Sequence, residues 1–208
     1  MGTYIKKGIK SSHFNKERHE IYDSLGRKNA KKFFKTKGFT LKTNDKDIEG
    51  NLIYYKTDLI AVKDTDSNVV FPLECSIKRT DLWHYIFSGV DVELRKEKYG
   101  ENGYNCMSNN EATEVLIIPL KYVSLAIKSC GIEYAGGGRG VKDSPNFIMP
   151  KHGCHRVRKK CIKGVAQTGE EEDFARIPYK YIYHFKKSGK GYILYHKPKY
   201  KLNIKDHL

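Results

Sequence analysis

Two carboxylates stand out in this sequence because each one lies in or beside an apolar stretch. Asp58 directly precedes the apolar run 59–62, and Glu74 lies inside the apolar run 69–77. Burying a charged acid in such a place is unfavourable unless it is paired with a positive charge or coordinates a metal. Two carboxylates brought together repel each other unless a cation lies between them, and hard oxygen ligands suit Mg²⁺ or Mn²⁺. The pair therefore predicts a divalent-metal site.

The elements that must position this pair are two strands. The short polar segment 63–68 joins the apolar runs, which predicts an antiparallel hairpin. Side chains alternate along a strand, so Glu74, Ser76 and Lys78 share one face while Cys75 points to the other. A lysine beside paired carboxylates can stabilise charge on a phosphate under attack, or help to deprotonate water.

An acid opening the first strand, a glutamate closing an apolar run in the second and a lysine nearby resemble the PD-(D/E)xK nuclease superfamily. The segments 58–61 and 71–74 are similar in rhythm to its Holliday-junction-resolvase-like and restriction-endonuclease-like members. The resemblance covers roughly residues 15 to 120. It implies an α/β fold, with a mixed sheet built on a central antiparallel hairpin and flanked by helices.

The resemblance also implies a metal-dependent DNA endonuclease that hydrolyses phosphodiester bonds. In that family pattern Asp58, Glu74 and the main-chain carbonyl of Cys75 would hold Mg²⁺ or Mn²⁺. Lys78 would lie near the nucleophile or the scissile phosphate. A homodimer would allow both strands of a duplex to be cut.

One position departs from the family pattern. The lysine is expected two residues after the glutamate, where this chain has Ser76. Lys78 lies one alternation further, about 6.8 Å along the strand. Two interpretations follow: Lys78 is a migrated catalytic lysine, or the site is weakened. A third interpretation is an exposed hairpin that carries ordinary edge charges.

A helix is predicted before the hairpin, from Asn15 to Lys37, because apolar residues recur at helical spacing and Gly38 can end it. In many family members this helix adds an acid to the metal site. The candidates, in order of preference, are Glu20, Asp23 and Glu17. A solvated helical charge is the alternative for each of them.

Later core elements are predicted from composition and periodicity. The stretch 80–98 reads as a helix interrupted at Ser88 and Gly89, and 100–110 as an Asn- and Gly-rich loop. The apolar run 114–120 predicts a buried strand, followed by a helix over 122–128.

The net charge of +15, from 39 basic and 24 acidic residues, indicates a polyanionic partner, with DNA the expected one. We expect a nuclease core over 1–128 and a basic C-terminal extension over 129–208, which would bind nucleic acid. Its candidate phosphate contacts are Arg156, Arg158, Lys159, Lys160 and Lys163. A solvated loop is the alternative for this run.

The rest of the extension predicts a hairpin from 177–185 and 191–196, and the four acids at 170–173 suggest a solvated loop. Five cysteines without a CxxC pair argue against a disulfide framework. A structural zinc at Cys154, His155 and Cys161 would fit no standard spacing.

Two classes of function are therefore open. The first is a Mg²⁺- or Mn²⁺-dependent deoxyribonuclease, and the second is a catalytically impaired nuclease-fold protein that binds nucleic acid or inhibits a partner. Apolar runs are shorter than the ~20 residues of a membrane span, and no signal-peptide pattern opens the chain, so a cytoplasmic protein is expected.

Overall fold

The computed structural model describes residues 16–44, 57–77, 89–99, 102–135, 146–160 and 171–198, with the main chain alone for 16–20, 135, 159–160 and 171–172. The α-helices are α1 (Lys16–Lys35) and α2 (Lys121–Ile127). The 3-10 helices are Leu94–Tyr99 and Tyr179–Tyr181. The strands are β1 (Phe39–Thr43), β2 (Leu59–Lys63), β3 (Asp66–Ile77), β4 (Gly89–Glu93), β5 (Tyr104–Ser108), β6 (Glu114–Pro119), β7 (Glu133–Ala135), β8 (His155–Lys160), β9 (Glu171–Pro178), β10 (Tyr183–Ser188) and β11 (Gly191–His196).

The first sheet has seven strands in the order β1-β2-β3-β5-β6-β10-β11. The predicted central hairpin is confirmed, because β2 and β3 pair antiparallel with Leu59 opposite Leu73 and Ala61 opposite Phe71. These four side chains are buried, as their alternation with more exposed neighbours predicts. The pair β3–β5 is parallel and the other pairs are antiparallel, so the sheet is mixed.

Helix α1 packs on this sheet through an aromatic face, and the helix predicted between Asn15 and Lys37 is confirmed. Phe33 and Phe34 are fully buried. The centroid of the Phe33 ring is 4.9 Å from that of Phe185, and the centroid of the Phe34 ring is 5.7 Å from that of Phe39. Gly38 follows the helix with a φ of +73°, a left-handed conformation that glycine adopts without strain.

The second sheet has four strands in the order β4-β9-β8-β7 and is also mixed. Its presence corrects the helix predicted over 80–98. Residues 89–93 form β4 and 94–99 form a 3-10 helix, while 80–88 lie outside the described residues. Val90 and Val92 are buried by pairing with β9, which a helical periodicity would not provide.

The loop predicted over 100–110 is also wrong in its centre, because 104–108 form the buried strand β5. This segment lies between β3 and β6, so its main chain is hydrogen-bonded on both sides, and most of the Asn and Gly residues that suggested a loop lie in its flanks. The predicted strand 114–120 and helix 122–128 are confirmed as β6 and α2.

The boundary expected at residue 128 does not separate the sheets. The C-terminal hairpin β10–β11 joins the first sheet through β6, and β9 joins β4 in the second. The hairpin is confirmed only for 183–196, since 171–178 form the separate strand β9. Part of the predicted acidic loop is therefore strand, because residues 171–173 pair with β8.

One continuous apolar core contains residues of both sheets and of both α-helices. The protein is therefore a mixed α/β fold in which the chain passes repeatedly between two sheets. No helix in the described part of the chain combines the length and apolar character needed to cross a membrane.

Candidate functional site

Asp58 and Glu74 meet where the β2–β3 hairpin reaches β5. The main-chain N–H of Asp58 donates to Glu74 Oε1 at 3.3 Å, and the N–H of Cys75 donates to Asp58 Oδ2 at 2.7 Å. Glu74 is buried and the Asp58 side chain is only 15% exposed. The hairpin register thus brings together the two acids that the sequence singled out.

This environment makes both acids harder to ionise. Burial is the main reason that the pKa of Glu74 rises to about 7, with repulsion from Asp58 adding to it and Lys96 opposing it. Burial also raises the pKa of Asp58, while the Arg27 charge and the Cys75 N–H act in the opposite direction. Two acids with raised pKa values in one buried place are typical of a functional site.

A lysine that sequence reasoning missed completes this cluster. Lys96 lies on the 3-10 helix Leu94–Tyr99, and its side chain is buried. Its Nζ atom is 3.6 Å from Glu74 Oε2 and 3.1 Å from Asn105 Oδ1. In the sequence Lys96 stands in a run of alternating charges that resembles a solvated surface, and only its contact with β3 distinguishes it.

Asn105 holds this lysine in place. Asn105 is opposite Glu74 in the parallel β3–β5 register, so their side chains share a sheet face. Its Oδ1 accepts from Lys96 and also from Ser76 Oγ, at 3.2 Å. Because an ammonium group can only donate, the amide orientation is fixed by Lys96. Ser76, which stands where the family pattern has lysine, therefore anchors the amide that positions a different lysine.

Helix α1 brings an arginine to the other acid. Arg27 Nη2 is 2.9 Å from Asp58 Oδ1, Nη1 donates to the Asp58 carbonyl at 3.3 Å, and Nε donates to Asp23 Oδ2 at 3.1 Å. The helix packs closely on β3 at this point, since a Cβ added at Gly26 would lie in van der Waals contact with the Ser76 nitrogen, at 3.5 Å. Asp23, the second choice among the helix acids, therefore reaches the site through Arg27.

Asp58 and Glu74 are the described residues that could hold one divalent cation. Asp58 and Glu74 offer carboxylate oxygens on one side of the hairpin, and burial is the main reason that the pKa of each is raised, so a bound cation would favour their charged forms. Among the described residues, no group of three or more His, Cys, Asp or Glu side chains is arranged to hold a metal. The roles expected for Glu20 and for the Cys75 carbonyl remain predictions, and the side chains of Glu20 and Glu17 lie outside the description.

The structure leaves two expected lysines undescribed and gives other contacts to part of the basic run. Lys78 and Lys163 lie outside the described residues. Arg158 forms a two-point ion pair with Asp173, at 2.6 and 3.0 Å. Arg156 donates to the Gly131 carbonyl at 3.4 Å.

The remaining two residues of that run, Lys159 and Lys160, lie opposite Glu172 and Glu171 in the β8–β9 register. The acidic cluster therefore faces the basic run across one strand pair. Within this strand pair Arg158 is bound by Asp173, so the Arg158 charge is not free to meet phosphate.

Two of the three residues considered for a structural zinc, Cys154 and His155, are described by the structure. His155 contacts the Glu133 carboxylate through Nε2 and the Gly153 carbonyl through Nδ1. Both of its ring nitrogens therefore already have oxygen partners. Cys154 is fully buried, and Cys161 lies outside the described residues.

Function must be inferred from these contacts, since similarity gives no further guidance. Comparison of the chain with family models, curated proteins and solved structures found no match.

Proposed function

We propose that this protein is a Mg²⁺- or Mn²⁺-dependent DNA endonuclease with a restriction-endonuclease-like core. The observation that supports this most strongly is the convergence of Asp58, Glu74 and Lys96 from three separate elements. Two acids and a lysine at the end of a hairpin, beneath a helix in a mixed sheet, are the arrangement that the family pattern implies. The choice of DNA rests on the net charge of +15.

In this proposal Asp58 and Glu74 hold the cation. When bound, such a cation neutralises phosphate charge and makes water more acidic. Lys96 would place its ammonium group beside the phosphate, where negative charge develops during attack. The buried amide of Asn105 keeps that ammonium group oriented, so little reorganisation is needed.

The contacts of Lys96 support this role. Its Nζ is already within 3.6 Å of Glu74 Oε2, and both side chains are only 5% exposed. A lysine held in a buried amide contact retains its position without substrate. The catalytic lysine would then lie on the 3-10 helix instead of on β3, and the position on β3 where the family pattern has lysine is occupied by the polar residue Ser76.

A second candidate function is supported by Arg27. Its guanidinium group already supplies positive charge to Asp58, which is the charge that a metal would otherwise provide. A nuclease-fold protein could keep this ion pair and bind nucleic acid, or inhibit a partner, without chemistry. In that case Asp58 and Glu74 would be structural residues.

Incubation with supercoiled, linear, single-stranded and branched DNA, each with Mg²⁺, Mn²⁺ or EDTA, tests the nuclease proposal. We expect cleavage only with metal, and we expect Glu74→Ala to abolish it while DNA binding persists. Glu97→Ala is the matched control, because Glu97 is an exposed acid on the Lys96-bearing 3-10 helix. Equal cleavage by Glu74→Ala and wild type would show that the proposed site is wrong.

Calorimetric titration with Mn²⁺ separates the two candidates. The nuclease proposal expects binding by wild type, loss of binding in Asp58→Asn, and tighter binding in Arg27→Gln because a competing cation is removed. The second candidate expects no binding by wild type. Sedimentation with and without duplex DNA tests the homodimer expected for cutting both strands.

A further inference from the structure

Helix α1 carries a row of lysines on the side that faces away from the sheet. The four lysines are all exposed, and their spacing of three and four residues places them on one face. We call them the lysine stripe: Lys28, Lys31, Lys32 and Lys35. The opposite face buries Ala30, Phe33 and Phe34, so the orientation of the stripe is fixed by the core.

The charge of this stripe is not neutralised by the described part of the protein. No described carboxylate lies within ion-pair distance of any of its four lysines. Asp23 is the only acid among the α1 side chains that the structure describes, and Arg27 already pairs with it.

The spacing within the stripe is itself unfavourable to the helix. Lys28 and Lys32 are four residues apart, as are Lys31 and Lys35, and like charges at this spacing destabilise a helix. The helix dipole offsets this for the lysines of the last turn, Lys32 and Lys35, but not for the other two. A row of charges that destabilises the helix carrying it indicates a role other than stabilising the fold.

The basic residues of β8 show the contrast. There Arg158 is bound by Asp173, and the two lysines that follow it face acids on β9. The protein therefore neutralises the Arg158 charge on β8, whereas the four lysines of α1 stay exposed.

The stripe also begins beside the candidate site. Arg27, the residue before Lys28, contacts Asp58 directly. From Lys28 to Lys35 the helix rises about 10 Å. Phosphates of one DNA strand are spaced about 3.4 Å along the duplex axis, so about three of them match this length.

We propose that the lysine stripe of α1 binds the phosphate backbone of duplex DNA and directs it towards Asp58 and Glu74. The choice of DNA among polyanions rests on the function proposed above. The chemistry of recognition does not, because ammonium groups bind phosphates through charge and counterion release alone.

Duplex binding measured by fluorescence anisotropy in EDTA, over a range of salt concentrations, tests this proposal. In Lys28→Gln/Lys32→Gln two phosphate contacts are lost, so the slope of log affinity against log salt should fall by about 1.8. Affinity at about 0.1 M salt should fall by about tenfold or more. The control Lys187→Gln/Lys190→Gln removes the same charge from exposed lysines near the β10–β11 turn and should change both quantities far less.

Thermal unfolding at low salt gives an independent readout. The stripe variant should be at least as stable as wild type, because repulsion along α1 is relieved. Equal losses of affinity in the stripe variant and the control would overturn the proposal in favour of diffuse attraction, as would unchanged binding in both. Because EDTA prevents metal-dependent cleavage, a protein that binds through the stripe but never cuts DNA would refute the nuclease and leave this proposal intact.

Discussion

The ammonium group beside Glu74 belongs to Lys96, which lies on a different element from Ser76. Ser76 donates to Asn105 Oδ1, and the same oxygen accepts from Lys96. The polar face of β3 is thus linked through one amide to a lysine twenty positions along the chain. If the proposed chemistry needs an ammonium group beside Glu74, Lys96 supplies it.

Lys96→Met should therefore lower the cleavage rate by about 10²–10³-fold, because a charge positioned at the phosphate is removed. Lys98→Met is the control, since Lys98 is exposed on the same 3-10 helix. Adding Ser76→Lys to Lys96→Met should restore part of the rate, because position 76 shares a strand face with Glu74. Full activity in Lys96→Met alone would assign the lysine role elsewhere. Rates come from gel-based single-turnover assays.

The raised pKa of Glu74 predicts a pH dependence of stability. Its carboxyl group holds a proton up to about pH 7 in the native state, against an ordinary value of 4.5. Between these values the native state binds more protons than the unfolded chain, so the free energy of unfolding falls as pH rises. Glu74→Gln cannot titrate and should flatten this fall.

Urea unfolding in EDTA at about pH 5 and about pH 8 measures this difference. Glu97→Gln, at an exposed position nearby, should keep the pH dependence of wild type. A Glu74→Gln protein that still loses stability between the two pH values, to the same extent as wild type, would contradict a raised Glu74 pKa.

At the scale of elements, the position of Lys96 depends on β4. The 3-10 helix that carries Lys96 follows β4 without a break, and β4 is held by antiparallel pairing with β9. Gly89 opens β4 directly against the main chain of β9. A Cβ at this position would lie 2.5 Å from the Ile177 carbonyl oxygen, so the strands could not keep their present spacing.

Gly89→Ala should destabilise the protein by about 1–3 kcal/mol, because the added methyl group overpacks a backbone contact. It should also lower cleavage by shifting Lys96 relative to Glu74. Gly191→Ala is the control, since a Cβ there meets nothing within 4 Å, and its effect should stay within about 0.5 kcal/mol. Urea unfolding measures the first effect and single-turnover cleavage the second.

Elements specified by their own local pattern could be predicted from the sequence. The β2–β3 hairpin, α1, β6 and α2 each carry a clear periodicity, and the hairpin register alone brought Asp58 and Glu74 together. Strand β5 was not predicted, because the Asn and Gly residues that flank it suggested a loop, and its burial between β3 and β6 is a tertiary effect. Asn105 and Lys96 were missed for the same reason: their roles arise from tertiary contacts.

At the scale of the whole molecule, each of the two sheets contains strands from both the N-terminal and the C-terminal part of the chain. β6 pairs with β10, and β4 pairs with β9, so each sheet needs residues after 128. The apolar core likewise draws on both segments, including Val92 from the first and Ile177 from the second. The protein should therefore fold as one cooperative unit.

A fragment of residues 1–128 should fail to fold stably, because β4 and β6 would each lose a paired neighbour and part of the core. Circular dichroism and a urea titration compare the fragment with the full chain, which should unfold in a single transition. A fragment that unfolds with the same midpoint as the full chain would show that residues 1–128 are an independent domain, as expected from the sequence.

The dependence of Lys96 on β9 also sets an order of events during synthesis. Asp58 and Glu74 belong to a local hairpin that can close soon after it leaves the ribosome, whereas β9 follows about a hundred residues later. At roughly 5–20 residues per second this delay is roughly 5–20 s. Throughout that time the nascent chain has both acids but no strand to hold β4, so a chemistry that requires Lys96 stays off until most of the chain has been made.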